Sequence, residues 1–329
     1  SGPDRGLFDT SYTFAATASP PNATPPIRYI WSATDLTETI EYTGELSHSV
    51  TLSWTVAGAK TITVTAINDA GIVTDTHSFV VENPRPSITA ISPTARVVYD
   101  AGFTLLITGS HFAHDAVVRW GGVDRPTTYV SRTLLRATIS ASDLLTGAVV
   151  PVTVRNPAPG GGTSNAVNFT VNNPVPVISS VQPMTRTAGS SGFTLVVAGS
   201  NFVGSSVVRW GGANRTTTFV SSTQLTATIL EGDLEAAGPV TVTVFNPTPG
   251  GGASNGVLFT VTNAAPTVSL LEPATVVAGS QAFSLTVRGS GFSSGESGSV
   301  VRWNGADRQT VYNNRNRLRA TISSSDVQT

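Results

Sequence analysis

The sequence predicts an all-β chain made of serial sandwiches. Three observations carry the prediction: landmarks that return every 90 residues, apolar residues that alternate with polar ones inside each unit, and Gly, Pro, Asn and Ser clusters between the alternating runs. Asn83-Pro-Arg-Pro-Ser-Ile returns as Asn173-Pro-Val-Pro-Val-Ile and again as Asn263-Ala-Ala-Pro-Thr-Val. Gly109-Ser110-His111-Phe112 becomes Gly199-Ser200-Asn201-Phe202 and then Gly289-Ser290-Gly291-Phe292. Val118-Arg119-Trp120-Gly121-Gly122 becomes Val208-Arg209-Trp210-Gly211-Gly212 and then Val301-Arg302-Trp303-Asn304-Gly305. The third copy is displaced by three residues because its loop from Ser293 to Ser299 is longer, and loops are where insertions are tolerated.

In chain order, residues 1–82 come first and lack these landmarks. They alternate in Tyr29-Ile-Trp31, Val50-Thr-Leu52-Ser-Trp54, Thr61 to Ile67 and Thr74 to Val81, with hairpin chemistry at Asn68-Asp-Ala-Gly71. No opening strand is expected ahead of them. Residues 83–172, 173–262 and 263–329 then form repeats one, two and three. In repeat one Phe103 to Thr108, Leu135 to Ile139 and Val150 to Val154 alternate with a period of two, which reads as antiparallel strands with one buried face. The run Asn156-Pro-Ala-Pro-Gly-Gly-Gly-Thr-Ser-Asn165 suits the loop joining the last two strands. About seven short strands in such a unit is the signature of an immunoglobulin-like sandwich. The fold class is therefore all-β, tandem immunoglobulin-like sandwiches in a linear array, with no helix longer than a turn.

Composition narrows the function classes. The 329 residues suffice for about two to four domains of roughly 100 to 150 residues. Only 12% are charged, and 19 basic against 20 acidic side chains leave a formal charge of -1. That balance offers no electrostatic footprint for nucleic acid, and no apolar run is long enough to span a bilayer. The chain has no cysteine, which removes disulfides, thiolate metal sites and cysteine nucleophiles. Lys60 is its one lysine, so lysine chemistry or a Lys-to-Asn crosslink is limited to a single position.

Few residues suggest chemistry. His111 and His114 lie three apart in a loop, without the helical spacing of a metal pair. Asp143, Asp233 and Asp326 recur, and Ser140-x-x-Asp143 and Ser323-x-x-Asp326 have capping-box spacing, which favours a single helical turn over a calcium loop. Gly160-Gly-Gly162 and Gly250-Gly-Gly252 lack the Gly-Lys-Ser/Thr of a phosphate cradle and read as turns. Trp120, Trp210 and Trp303 either line their cores or form a sugar-stacking ladder; their parity with Val118, Val208 and Val301 favours the core, where Trp31 and Trp54 also belong. Arg119, Arg209 and Arg302 then point outward, with Arg125, Arg215 and Arg308 nearby, as salt-bridged surface or as an inter-subunit docking face. Asn22, Asn168 and Asn214 begin glycosylation sequons, a short pattern that arises by chance. Catalytic, cofactor and metal residues are expected to be none.

Residues 83–329 resemble bacterial IPT/TIG repeats. The resemblance rests on Pro86-x-Ile88 with Ile91-Ser-Pro93, on Thr104 to Phe112, on Val-Arg-Trp-Gly-Gly, and on Val152-Thr-Val-x-Asn-Pro followed by Gly160-Gly-Gly-x-Ser-Asn. Residues 1–82 resemble a PKD-type domain, through Tyr29-x-Trp31 and Trp54-Thr-Val-Ala-Gly58-Ala-Lys-Thr-Ile-Thr-Val; the acidic turn of that family is replaced by Ser32-Ala33-Thr34-Asp35. Repeat three stops at the counterpart of Thr146, short of two strands. Either the sequence is an excerpt from a longer array, or a neighbouring subunit supplies the missing strands by strand addition. The resemblance implies a non-enzymatic extracellular stalk, sheath or filament on a bacterial surface. Its partners would be copies of itself, other surface proteins or a glycan, without nucleic acid or membrane insertion. A glycan- or protein-binding adhesion module, or an accessory region of a larger secreted enzyme, is the alternative, for which Tyr129, Phe219 and Tyr312 are the aromatic candidates.

Overall fold

The computed structural model describes residues 1–19, 23–295 and 298–328. It divides into two compact units, Ser1–Val171 and Asn172–Thr329. Both are all-β and built from immunoglobulin-like sandwiches, as the alternation predicts.

In unit one, residues 1–82 form two facing sheets. The larger runs in the order Arg5–Leu7, Gly71–Glu82, Gly58–Asn68, Ile27–Ala33, Ile40–Gly44; the smaller pairs Tyr12–Thr17 with Ser47–Leu52. Arg5–Leu7 corrects the expectation of a missing opening strand: it lies parallel to Gly71–Glu82, with Arg5 opposite Val80 and Leu7 opposite Glu82. Three residues are too few for alternation to reveal. Phe14, Tyr29, Trp31, Val50, Trp54, Ile62 and Phe79 fill the space between the sheets. Their polar atoms find partners there, as buried polar groups must. The Tyr29 hydroxyl donates to the Leu46 carbonyl at 2.6 Å, Trp31 Nε1 to His48 Nδ1 at 3.1 Å, and Trp54 Nε1 to the Thr34 carbonyl at 2.9 Å.

Repeat one has the seven expected strands and three short ones. A sheet in the order Thr127–Ser131, Leu134–Ile139, Phe103–Ser110, Ser87–Ser92 faces a second in the order Val123–Arg125, Val117–Trp120, Ala148–Asn156, Val167–Asn172, Ala95–Val97, to which Gly162–Thr163 adds on Ala148–Asn156. Leu105, Ile107, Leu135 and Ile139 meet Val118, Val152, Val154 and Phe169, all fully buried. Trp120 opposes Val123 across a two-residue turn in which Gly121 and Gly122 have φ of 56° and 86°. Two successive positive φ values make a type I′ turn, whose twist matches its flanking strands and which glycine forms without strain.

In unit two, repeat two has the same strand order, with Phe193–Ser200, Val207–Trp210, Gly238–Asn246 and Val257–Thr262 at its centre. Repeat three keeps the four-stranded sheet Thr267–Glu272, Phe283–Ser290, Arg317–Ile322, Thr310–Asn314 and the hairpin Arg302–Trp303 with Ala306–Asp307. Trp120 and Trp210 are buried, with ring centroids 4.9 Å from Phe169 and 4.8 Å from Phe259. Trp303 is half-buried and packs against the core cluster of repeat three. Its indole meets Phe283 edge-on at 6.3 Å.

Candidate functional site

The six repeated arginines separate into two sets. Arg119, Arg209 and Arg302 lie outward on the strand that carries the tryptophan. Their Nε atoms donate to Asp124 at 2.9 Å, Asn214 at 3.1 Å and Asp307 at 2.7 Å. Arg209 also covers the Phe245 ring at 4.0 Å. Pairs exposed to this degree contribute little to stability, so the set is legible as surface.

Arg125, Arg215 and Arg308 turn inward. Each guanidinium grips the carboxylate 18 residues downstream with two nitrogens: Arg125 holds Asp143, Arg215 holds Asp233 and Arg308 holds Asp326. The Nε bonds measure 3.1, 2.8 and 2.8 Å. Only 16% of the Arg125 side chain and 12% of that of Asp143 are exposed, which takes these arginines out of any docking face. Bidentate geometry and partial burial make this a strong pairing.

The carboxylates also do what the capping spacing predicts. Each sits on a one-turn 3₁₀ helix, Ala141–Leu144, Glu231–Leu234 or Ser324–Val327. Each accepts the backbone N–H three residues earlier, from Ser140 at 3.0 Å, Leu230 at 3.0 Å and Ser323 at 2.9 Å. Burial would raise the Asp143 carboxyl, but the hydrogen bonds from Arg125 and Ser140 outweigh it and hold the group below the usual carboxylate value. Asp233 is lowered in the same way, against burial, by Arg215 and the Leu230 amide. Arg308 and Ser323 bring Asp326 down to about 2. The constant 18-residue separation was the sequence signal for this clasp.

A second repeated constellation surrounds the start of each repeat. Asn83 is buried, its N–H donates to the Pro159 carbonyl at 2.8 Å, its own carbonyl accepts from the Gly161 N–H at 2.6 Å, and its Nδ2 donates to Pro157 at 2.9 Å. Asn156, the Asn of Asn-Pro, donates from Nδ2 to the carbonyls of Pro84 at 2.8 Å and His111 at 2.6 Å, and accepts the Ala113 N–H at 3.1 Å. Asn165 accepts the Ile88 N–H and donates to its carbonyl, both at 2.9 Å. Repeat two copies the plan with Asn173, Asn246 and Asn255. Gly160, Gly161 and Gly162 all have positive φ, which confirms the turn reading of the glycine run. Its backbone holds a peptide, Asn83, in place of a phosphate.

The remaining candidates stay apart. His111 and His114 lie exposed in their loop, the latter with its ring 5.2 Å from Tyr129, and among the described residues no cluster of His, Asp and Glu could hold a metal. Tyr129, Phe219 and Tyr312 are each half-buried. Lys60 is buried and paired with Asp35. Asn168 is exposed on its strand, Asn214 is engaged by Arg209, and Asn22 lies outside the described residues. Among the described residues no helix is long and apolar enough to cross a membrane.

Comparison with known proteins follows the same division. No curated protein matches the chain. Among solved structures it is similar to the I-band fragment I67-I69 from titin, at 16% identity over 79% of this chain and 95% of that one, with a TM-score of 0.33. It is also similar to an ICAM-5 D1-D4 ectodomain fragment, at 12% identity over 79% and 74%, TM-score 0.36. A Ca2+-stabilised adhesin of an Antarctic bacterium is similar at 14% identity over 96% and 86%, TM-score 0.25. The IPT/TIG domain profile matches residues 86–171 and 176–261, the spans that carry the first two of the three clasps. With more than half of its length accounted for in this way, the chain belongs to the IPT/TIG domain family.

Proposed function

We propose that the chain is a non-enzymatic structural array of the bacterial cell surface, a stalk, sheath or filament component. The observation that supports this is what the copies share. Arg125 with Asp143, Asn156 and Asn165 recur in repeat two as Arg215 with Asp233, Asn246 and Asn255, and every one of these side chains braces its own fold. Where repeated polar groups serve the scaffold, repetition itself is the product: extent between one end of the chain and the other. Residues 1–82 we read as a PKD-type domain, 83–172, 173–262 and 263–329 as three IPT/TIG repeats, and Arg119, Arg209 and Arg302 as the face offered to neighbouring copies.

Limited proteolysis of intact cells tests the location. Peptides of this chain should be released while the cells stay whole; recovery only after lysis would overturn the reading. Strand addition between copies is tested by sedimentation of concentrated protein, where a monomer at all concentrations would exclude it.

The adhesion reading has one observation in its favour. A cleft of about 460 Å³ in unit one is lined by Phe8, Val56, Phe112, His114, Tyr129 and Arg132. Binding of cell-wall polysaccharide that is lost in Tyr129→Ala would move the assignment to a glycan-binding module.

A further inference from the structure

Tension on a chain reaches a sandwich through its first and last strands. In residues 1–82 those are Arg5–Leu7 and Gly71–Glu82, which are parallel neighbours. In repeat two the first strand, Val177–Gln182, lies antiparallel to Phe193–Ser200, and the second, Thr185–Thr187, runs parallel to the last, Val257–Thr262, with Thr185 opposite Thr260 and Thr187 opposite Thr262. The Thr260 N–H donates to the Met184 carbonyl at 3.1 Å and the Ala188 N–H to the Thr262 carbonyl at 2.7 Å. Repeat one places Ala95–Val97 beside Val167–Asn172, with the Thr170 N–H on the Thr94 carbonyl at 3.0 Å.

Orientation decides how such a pair fails. A pull draws the first strand back from its start and the last strand forward from its end. Parallel neighbours then slide along a common axis, and the bonds between them must break together. Antiparallel neighbours pulled at their open end peel apart one bond at a time.

The segment ahead of this pair is pinned as well. In repeat two the Asn173 N–H donates to the Pro249 carbonyl at 2.8 Å, the Gly251 N–H donates to the Asn173 carbonyl at 2.7 Å, and Asn246 Nδ2 donates to the Pro174 carbonyl at 2.8 Å. The chain arriving at the repeat is therefore fastened to the loop that precedes the last strand before the parallel pair is loaded.

We propose that these sandwiches are mechanical clamps, whose further function is to hold their fold against tension applied through the two ends of the chain. The inference stands wherever the array resides, so it fails or survives apart from the surface assignment.

The full chain, tethered by its ends and held at constant force, tests it. Repeats one and two share a 90-residue period and release equal lengths, so each is the reference for the other. Arg186→Pro removes a backbone donor from the middle of the clamp in repeat two. One of the two equal-length events should become about tenfold faster while the other keeps its lifetime. Arg186→Ala removes the guanidinium from the Phe193 ring, 4.9 Å away, but keeps the donor, and should leave the two alike. Unchanged lifetimes in Arg186→Pro, or an equal effect in Arg186→Ala, would overturn the clamp. Should Arg186→Pro fail to fold, Thr216→Cys with Thr228→Cys in the cysteine-free chain puts handles on exposed antiparallel neighbours, joined by the Thr228 N–H on the Thr216 carbonyl at 3.0 Å. Pulled there, repeat two should yield about tenfold faster or more than when pulled from the chain ends at the same force. Equal lifetimes in the two geometries would sink the proposal.

Discussion

Asn156 joins three separate stretches of repeat one with a single side chain, through Pro84, His111 and Ala113. Only 2% of it is exposed, so nothing in solvent replaces a lost partner. Asn156→Ala should cost repeat one about 2–3 kcal/mol, measured by urea denaturation, because buried carbonyls and an amide are left unpaired. The arginine–carboxylate clasps carry a pH signature. Their folded carboxyls lie below the roughly 3.9 of aspartate in an unfolded chain, so the pairing stabilises in full above that value. It is lost as pH falls through the folded values, down to about 2 for Asp326. The triple variant Arg125→Met, Arg215→Met, Arg308→Met should thus have a lower urea midpoint than the parent at neutral pH. The gap should narrow steadily from about pH 4 toward pH 2. A constant gap across that range would remove the clasps as its source.

Turns and strands differ in how far the sequence exposed them. Phe103–Ser110, Leu134–Ile139 and Ala148–Asn156 of repeat one were readable because each buries one face, and a period of two records that directly. Arg5–Leu7 and Ala95–Val97 were not, being three residues long and placed by backbone pairing alone. The bonds from the Asn83 and Asn165 side chains were also hidden, since their partners lie 74 and 77 residues away in sequence. Arg125 and Asp143 were half-visible: the carboxylate could be placed on its capping turn, but its guanidinium partner was read as surface. At Gly161 the loop leaves no room for a side chain. A Cβ there would stand 2.5 Å from the carbonyl oxygens of Asn156 and Pro157, at a φ of 74°. Gly161→Ala should therefore destabilise repeat one by about 2–3 kcal/mol, combining left-handed strain with a backbone clash, and a shift in its melting temperature would show it.

Within each unit an arginine ties one sandwich to the one before it. In unit one Arg132 pairs with Asp9 and lies over the Phe8 ring at 4.8 Å. In unit two the corresponding Arg315 donates to the carbonyls of Leu234 at 2.9 Å and Glu235 at 2.8 Å. Ser222 stands at this position in repeat two. Arg315→Ser should weaken the coupling of repeats two and three by about 1–2 kcal/mol, and their calorimetric transitions should move apart. Coincident transitions in the variant would show that the arginine is incidental. The Asn165 and Asn255 amides have one more consequence. Tandem near-copies are prone to misassembly during synthesis, when a strand from one copy finds the partner meant for its sibling. At Ile88 and Ile178 the backbone N–H and C=O are already occupied by an amide from the same repeat. The first strands of repeats one and two are thus marked at these positions as taken by their own domains, and a newly made neighbour meets no vacant backbone groups there to swap into.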